Sequence, residues 1–80
     1  MRRTTRVREL SAADVRAIAM QIRRSAVNCG DGFEIVRKGH IIFVYLDADA
    51  TGGRPHIAEV WDNEGRELTE LRDALQILVE

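Results

Sequence analysis

Residues 41–46, Ile-Ile-Phe-Val-Tyr-Leu, constrain the fold more than any other segment, because they form the longest uninterrupted apolar run in the chain. Successive side chains of an extended strand point to opposite faces, so the odd-numbered residues of this run share one face and the even-numbered residues share the other. Both faces are therefore apolar, which predicts a strand in the middle of a sheet. The run is much shorter than the about 20 apolar residues that a membrane-spanning helix needs, so no membrane partner is expected.

The residues that flank this run predict two helices and two further strands. Ser11 followed by Asp14 is typical of a helix start, and the apolar residues that follow at steps of three and four predict a helix over residues 12–27. Apolar residues at similar steps from Leu68 to Leu78, with Ile77 beside them, predict a second helix from residue 69 to the end. The expected strands cover residues 33–37, 41–47 and 56–61, with a tight turn at 37–40 and optional short strands at 4–10 and 66–68.

The order α-β-β-β-α predicts one α+β domain over residues 1–80, with a basic N-terminal arm at 1–10. Its antiparallel sheet has three strands, or four if the arm adds one, and 80 residues leave room for a single core. If both helices pack on one side of the sheet, the second apolar face stays open to water. Either the helices divide between the faces, or the N-terminal segment or another molecule covers the open face, which Val36 and Val60 would widen. A homodimer with Tyr45 and Trp61 as contacts is one expected outcome.

Nothing in the sequence predicts a cofactor. The single cysteine, Cys29, excludes an internal disulfide and fits a reducing compartment, and no apolar signal region follows the N-terminal arginines, so we expect a cytoplasmic protein. Asp47 and Asp49 have the spacing of the first ligands in a calcium loop, but the twelfth position of that loop is Ala58 rather than glutamate. Whether the two aspartates bind a cation stays open at this point, and no metal site is predicted.

Charge is divided unevenly along the chain. Residues 1–30 carry seven arginines against two carboxylates, a formal charge of +5, whereas residues 31–80 carry five cations against eleven carboxylates, a formal charge of −6. The basic arm, with Arg2, Arg3 and Arg6, suits phosphate groups, while the acidic half favours a basic or nucleic-acid-associated protein partner. The residues predicted to bind such a partner are Glu59, Asp62, Glu64, Glu67 and Glu70, with Trp61 and Tyr45.

This pattern leads to the first of two function hypotheses. It is a small non-enzymatic protein that binds a macromolecule through an acidic face or through the open apolar face of the sheet. Small size and acidity are also typical of phage-type inhibitors such as anti-CRISPR proteins, which makes inhibition one form of this hypothesis.

The second hypothesis comes from a resemblance. A first helix, then Gly-Phe-Glu-Ile-Val-Arg-Lys-Gly-His at residues 32–40, then a strand, resembles the HicA-type toxins, whose small domain is similar to double-stranded-RNA-binding domains. Glu-Leu-Thr-Glu-Leu-Arg at residues 67–72 is similar to the segment that opens their second helix. The resemblance implies an RNA-binding ribonuclease in which His40 is the catalytic acid/base and Arg37 and Lys38 lie near phosphate. Apart from the resemblance, His40 reads as an exposed residue of a hairpin turn.

Overall fold

The chain folds in the order α-β-β-β-α, as shown by a computed structural model that describes residues 10–26, 32–47 and 55–80. The elements are α1 (Ala12–Ser25), β1 (Gly32–Arg37), β2 (His40–Leu46), β3 (Ile57–Asp62) and α2 (Thr69–Val79). The three strands form one sheet in the order β1-β2-β3, and both pairs are antiparallel. The predicted α+β class and the central position of the apolar strand are therefore confirmed.

Several element boundaries differ from the sequence prediction by one or two residues. Helix α1 ends at Ser25, and residue 27 lies outside the described residues. The optional strand at residues 66–68 is reduced to one bridge, in which Glu67 pairs with Trp61. Of the optional strand at 4–10, residues 4–9 lie outside the described residues, and Leu10 is buried in the core.

Helix α1 begins with a capping box. The Ser11 side chain accepts a hydrogen bond from the backbone N–H of Asp14 at 3.1 Å, and the Asp14 carboxylate accepts one from the backbone N–H of Ser11 at 3.1 Å. The two bonds satisfy N–H groups that have no partner within the helix. The predicted helix start is thus confirmed. Asp14 stabilises it through a hydrogen bond as well as through its negative charge at the positive end of the helix dipole.

The turn between β1 and β2 has two residues, Lys38 and Gly39, with φ angles of 51° and 82°. Positive φ at both central positions is the geometry of a type I′ turn, whose twist matches that of a β-hairpin. Arg37 and His40 are therefore directly opposite each other, and His40 is the first residue of β2 rather than part of the turn.

Both helices pack on the same face of the sheet, so they do not divide between the faces. The even-numbered residues of β2 from Ile42 to Leu46 are buried in the core together with side chains from β1, β3 and both helices. Val60 lies opposite Val44 on this covered face and is fully buried, which corrects its expected place on the open face. On the open face, Tyr45 is 44% exposed and Val36 is 57% exposed.

Helix α2 turns a slightly different side to the core than the leucine spacing predicted. Leu71, Leu75 and Val79 are buried, whereas Leu78 is 39% exposed and Ile77 is 73% exposed. The buried residues follow steps of four, so Val79 takes the core position that the sequence assigned to Leu78. In the described part of the chain, no helix is long and apolar enough to cross a membrane.

Truncating one residue on each side of α2 tests this orientation. Leu75→Ala removes a fully buried side chain and should lower the free energy of unfolding by about 2–5 kcal/mol. Ile77→Ala, two residues away on the exposed side, should change it by no more than about 0.5 kcal/mol. Urea unfolding followed by far-UV circular dichroism measures both. Comparable losses for the two variants would contradict the orientation of α2.

Candidate functional site

The open face of the sheet carries a row of four directly opposed residues. Phe43 in β2 pairs with Glu34 on one side and with Trp61 on the other, and Trp61 pairs in turn with Glu67. Directly opposed residues of antiparallel strands project from the same face. The row therefore reads carboxylate, aromatic, aromatic, carboxylate, and it spans about 14 Å because adjacent strands lie about 4.8 Å apart.

Beside this row lies a shallow groove of about 420 Å³, open to solvent. The described residues of its lining combine aromatic rings with oxygen-bearing side chains and include no lysine or arginine: Phe43, Tyr45, Glu59, Trp61, Asp62, Asn63 and Gly65. The indole Nε1 of Trp61 donates a hydrogen bond to Glu59 Oε1 at 2.9 Å, which orients the ring and the carboxylate relative to each other. The structure thus brings together four of the predicted partner-binding residues, Tyr45, Glu59, Trp61 and Asp62.

Tyr45 is held at the edge of the groove by the residue opposite it. A Cβ atom at Gly32 would lie only 3.0 Å from Cδ1 and 3.3 Å from Cε1 of the Tyr45 ring. The ring therefore lies over Gly32, a position that any larger residue there would displace. The aromatic lining of the groove depends on this glycine as well as on the aromatic residues themselves.

Asp62 shapes the turn that forms one wall of the groove. Its side chain is 1% exposed, and Oδ1 accepts hydrogen bonds from the backbone N–H groups of Glu64 and Arg66 at 2.9 and 2.8 Å. The guanidinium of Arg66 bonds to Oδ2 at 3.2 Å. Although the sequence grouped Asp62 with the exposed acidic residues, the structure buries its carboxylate and pairs it. In the same turn, Oδ1 of Asn63 is buried and has no hydrogen-bond partner among the described residues.

The other four predicted acidic residues are exposed, but they do not form one surface. Glu59 and Glu67 lie on the open face, on either side of Trp61. Glu64 lies in the turn and accepts a hydrogen bond from Arg66 Nη2 at 3.1 Å, while Glu70 lies in the first turn of α2, in the helix layer. Glu34 and Phe43 are site residues that the sequence pattern does not predict, since only the strand register shows that they join the row.

Arg37 and Lys38, proposed from the resemblance to contact phosphate, both bond to a buried carboxylate of this chain. Arg37 Nε lies 2.9 Å and Lys38 Nζ lies 3.3 Å from Asp14 Oδ1, and the Asp14 side chain is 2% exposed. The pKa of Asp14 is held well below its usual range, mainly by the hydrogen bond from the Ser11 backbone and further by Arg37, the Ser11 hydroxyl and Lys38, against the opposing effect of burial. This cluster ties the start of α1 to the β1–β2 turn.

His40 is buried, with 5% of its surface exposed. It lies opposite Arg37 in the first pair of the hairpin, on the face that the helices cover. The exposed turn position is therefore a correction, because the two-residue turn ends at Gly39 and the strand begins one residue earlier than expected. The residues Arg2, Arg3 and Arg6 lie outside the described residues, and the HicA-type resemblance stays a prediction.

Asp47 and His56 meet where β2 ends and β3 is about to begin. The Nδ1 of His56 bonds to Oδ2 of Asp47, and the Asp47 backbone N–H donates to the His56 carbonyl at 2.9 Å. Asp49 and Cys29 lie outside the described residues. Residues 10–26, 32–47 and 55–80 contain no group of three or more His, Cys, Asp or Glu side chains placed to hold a metal ion.

Comparisons with known proteins give no match: no protein-family model matches the chain, and neither does a curated protein or a solved structure.

The Asp14 cluster makes the stability of the fold depend on pH in a defined direction. Because the folded state lowers the pKa of Asp14, the unfolded state takes up a proton first as the pH falls. The stabilisation is complete above the unfolded pKa of about 3.9 and is lost as the pH falls below it. We expect urea midpoints to fall more steeply between pH 5 and pH 2 for the wild type than for Asp14→Asn. Parallel pH profiles would contradict this role for Asp14.

Proposed function

We propose that this protein is a non-enzymatic binding module that holds an arginine-bearing segment of a protein partner on the open face of its sheet. The observation that carries the proposal is the row from Glu34 through Phe43 and Trp61 to Glu67, together with the groove beside it. By binding a macromolecule, such a module would be able to inhibit it, as phage-encoded inhibitors do. This inhibitory role stays a prediction.

The chemistry of the groove favours a cation. A guanidinium is planar and stacks on aromatic rings while donating hydrogen bonds to carboxylates. Phe43 and Trp61 provide adjacent rings, and Glu59 provides a carboxylate that the Trp61 indole already orients. One cation over an exposed ring contributes only about 0.5–1 kcal/mol, so we expect a segment with several arginines to be required.

The same face is unfavourable for RNA. Glu34, Glu59 and Glu67 all project from it, and carboxylates repel phosphate groups. The two cations nearest the turn, Arg37 and Lys38, are paired with Asp14. For these reasons we favour a protein partner over a nucleic acid for this surface. Binding of RNA is the alternative outcome of the experiment.

The proposal is tested with a peptide probe and an intrinsic reporter. Trp61 is the only tryptophan of the chain, so its fluorescence reports on the groove directly. Titration with an acetylated tetra-arginine amide should give a saturable change at low salt that weakens as salt rises. A tetra-lysine peptide should bind more weakly because it lacks the stacking plane, and a tetra-citrulline peptide, which is neutral, should not bind.

Matched variants separate the groove from overall charge. Glu59→Gln should weaken binding of the arginine peptide about tenfold, the equivalent of roughly 1.4 kcal/mol. Glu70→Gln removes the same charge from α2 and should leave the affinity unchanged. Equal losses for the two variants would show that the peptide responds only to net charge. Tight, salt-sensitive binding of a single-stranded RNA, with cleavage that His40→Ala abolishes, would replace this proposal by the ribonuclease hypothesis.

A further inference from the structure

The two outer edges of the sheet differ in how their backbone groups are satisfied. Along β3, the segment after the turn supplies partners: the N–H of Leu68 donates to the carbonyl of Val60 at 2.7 Å, and the N–H of Asp62 donates to the carbonyl of Arg66 at 2.9 Å. This segment therefore covers the C-terminal half of the β3 edge, although it is too short to form a full strand.

A side chain covers the other end of the same edge. Gln76 of α2 accepts a hydrogen bond from the N–H of Ile57 through Oε1 at 2.7 Å, and its Nε2 donates to the carbonyl of Pro55 at 3.3 Å. The glutamine amide thus takes the place of a backbone amide from a further strand. Gln76 and the segment after the turn thus cover both ends of the β3 edge, which hinders the addition of a further strand there.

The edge of β1 has no such cover within the described residues. Backbone groups alternate in direction along an antiparallel strand, and Val60 and Asp62 direct theirs away from β2. The β2 residues opposite Val60 and Asp62 therefore direct their backbone groups toward β1. In the register of β1 and β2, this leaves the N–H and C=O groups of Glu34 and Val36 on the outer edge of β1. Both residues are exposed, Val36 by 57%. An uncovered row of backbone donors and acceptors is the surface that pairs with another extended strand.

We propose that two copies of this chain associate through their β1 edges, in antiparallel pairing, to form a continuous six-stranded sheet. Backbone groups at the spacing of a strand select an extended segment as the occupant. A second β1 has the right length, and antiparallel pairing of two identical strands closes on itself as a two-fold dimer without leaving a further edge of the same kind.

Charge and the number of β1 residues that pair select the register. If Ile35 lies opposite Ile35 of the second copy, each Glu34 lies opposite Val36 of the other copy, and both of these pairs exchange backbone hydrogen bonds. A shift that sets Glu34 opposite Glu34 would bring two carboxylates together, which is destabilising. The first register therefore uses both outward-pointing residues without opposing like charges.

The dimer would set two open faces side by side on one sheet. Each would carry its own aromatic groove, so a partner with two basic segments would engage both at once. The pairing uses backbone groups of β1 and no residue that lines the groove, although Glu34 belongs both to the proposed pairing and to the end of the row.

The wild-type protein provides the first test. Sedimentation equilibrium should show a monomer–dimer equilibrium, and amide hydrogen exchange of Glu34 and Val36 should slow as the protein concentration rises. The amide of Ile35, which points to β2, is an internal control that should be protected at every concentration. A monomer at millimolar concentration, or no change at Glu34 and Val36, would overturn the proposal.

Substitutions at Val36 supply the second test. The N–H of Val36 points outward, so Val36→Pro removes a donor of the proposed dimer but no hydrogen bond between β1 and β2. We therefore expect this variant to lose the dimer. Val36→Glu opposes the Glu34 carboxylate and should weaken the dimer at least tenfold, whereas Val36→Lys should preserve or strengthen it. Because these two variants place opposite charges at the same position, they remain decisive if the proline variant does not fold.

The matched controls are Ile77→Glu and Ile77→Lys, which make the same changes at an exposed site on α2 and should leave the dimer unchanged. Equal weakening by Val36→Glu and Val36→Lys would exclude the proposed register. A dimer that Trp61→Ala disrupts and Val36→Pro does not would place the contact on the open face instead of the edge. Arginine-peptide binding by a strictly monomeric protein would reject this inference alone and leave the proposed function standing.

Discussion

The arrangement depends on one constraint: β2 is apolar on both faces, while both helices lie on one of them. The even-numbered residues of β2 join the core beneath α1 and α2, and this burial supplies the main driving force for folding. The odd-numbered residues face away from the helices, where Ile41 is buried, Phe43 is half-buried and Tyr45 is exposed. An aromatic surface is therefore a direct consequence of covering a two-faced strand from one side only.

Two buried carboxylates hold two turns at the same end of the sheet, the end at which β1 and β3 finish. Asp14 joins the first turn of α1 to the β1–β2 hairpin through Arg37 and Lys38, and Asp62 closes the turn after β3 through backbone amides and Arg66. A buried carboxylate is tolerated only where it is paired and hydrogen-bonded, and both of these are. Charges that looked available for a partner in the sequence are thus partly used inside the fold.

These internal ion pairs reduce the number of predicted carboxylates that remain available on the open face of the sheet. With Asp62 buried and Glu70 in the helix layer, the acidic character that matters on the open face comes from Glu34, Glu59 and Glu67. These carboxylates surround aromatic rings, and this combination is the basis on which we propose an organic cation as the ligand. Within the described residues, β3 has a covered edge and β1 an uncovered one, and this difference is the basis for the proposed extension of the sheet at β1.

The sequence by itself determined the α-β-β-β-α order, the central strand and the helix start, since each follows from local signals: two-faced hydrophobicity, steps of three and four, and a capping pair at Ser11 and Asp14. It did not determine which face of the sheet the helices cover, that His40 and Asp62 are buried, or that Glu34 and Phe43 stand in one row with Trp61. Those features depend on strand register and on the packing of α2, which join residues far apart in the chain. Local periodicity carries no information about such contacts, so only the tertiary structure decided them.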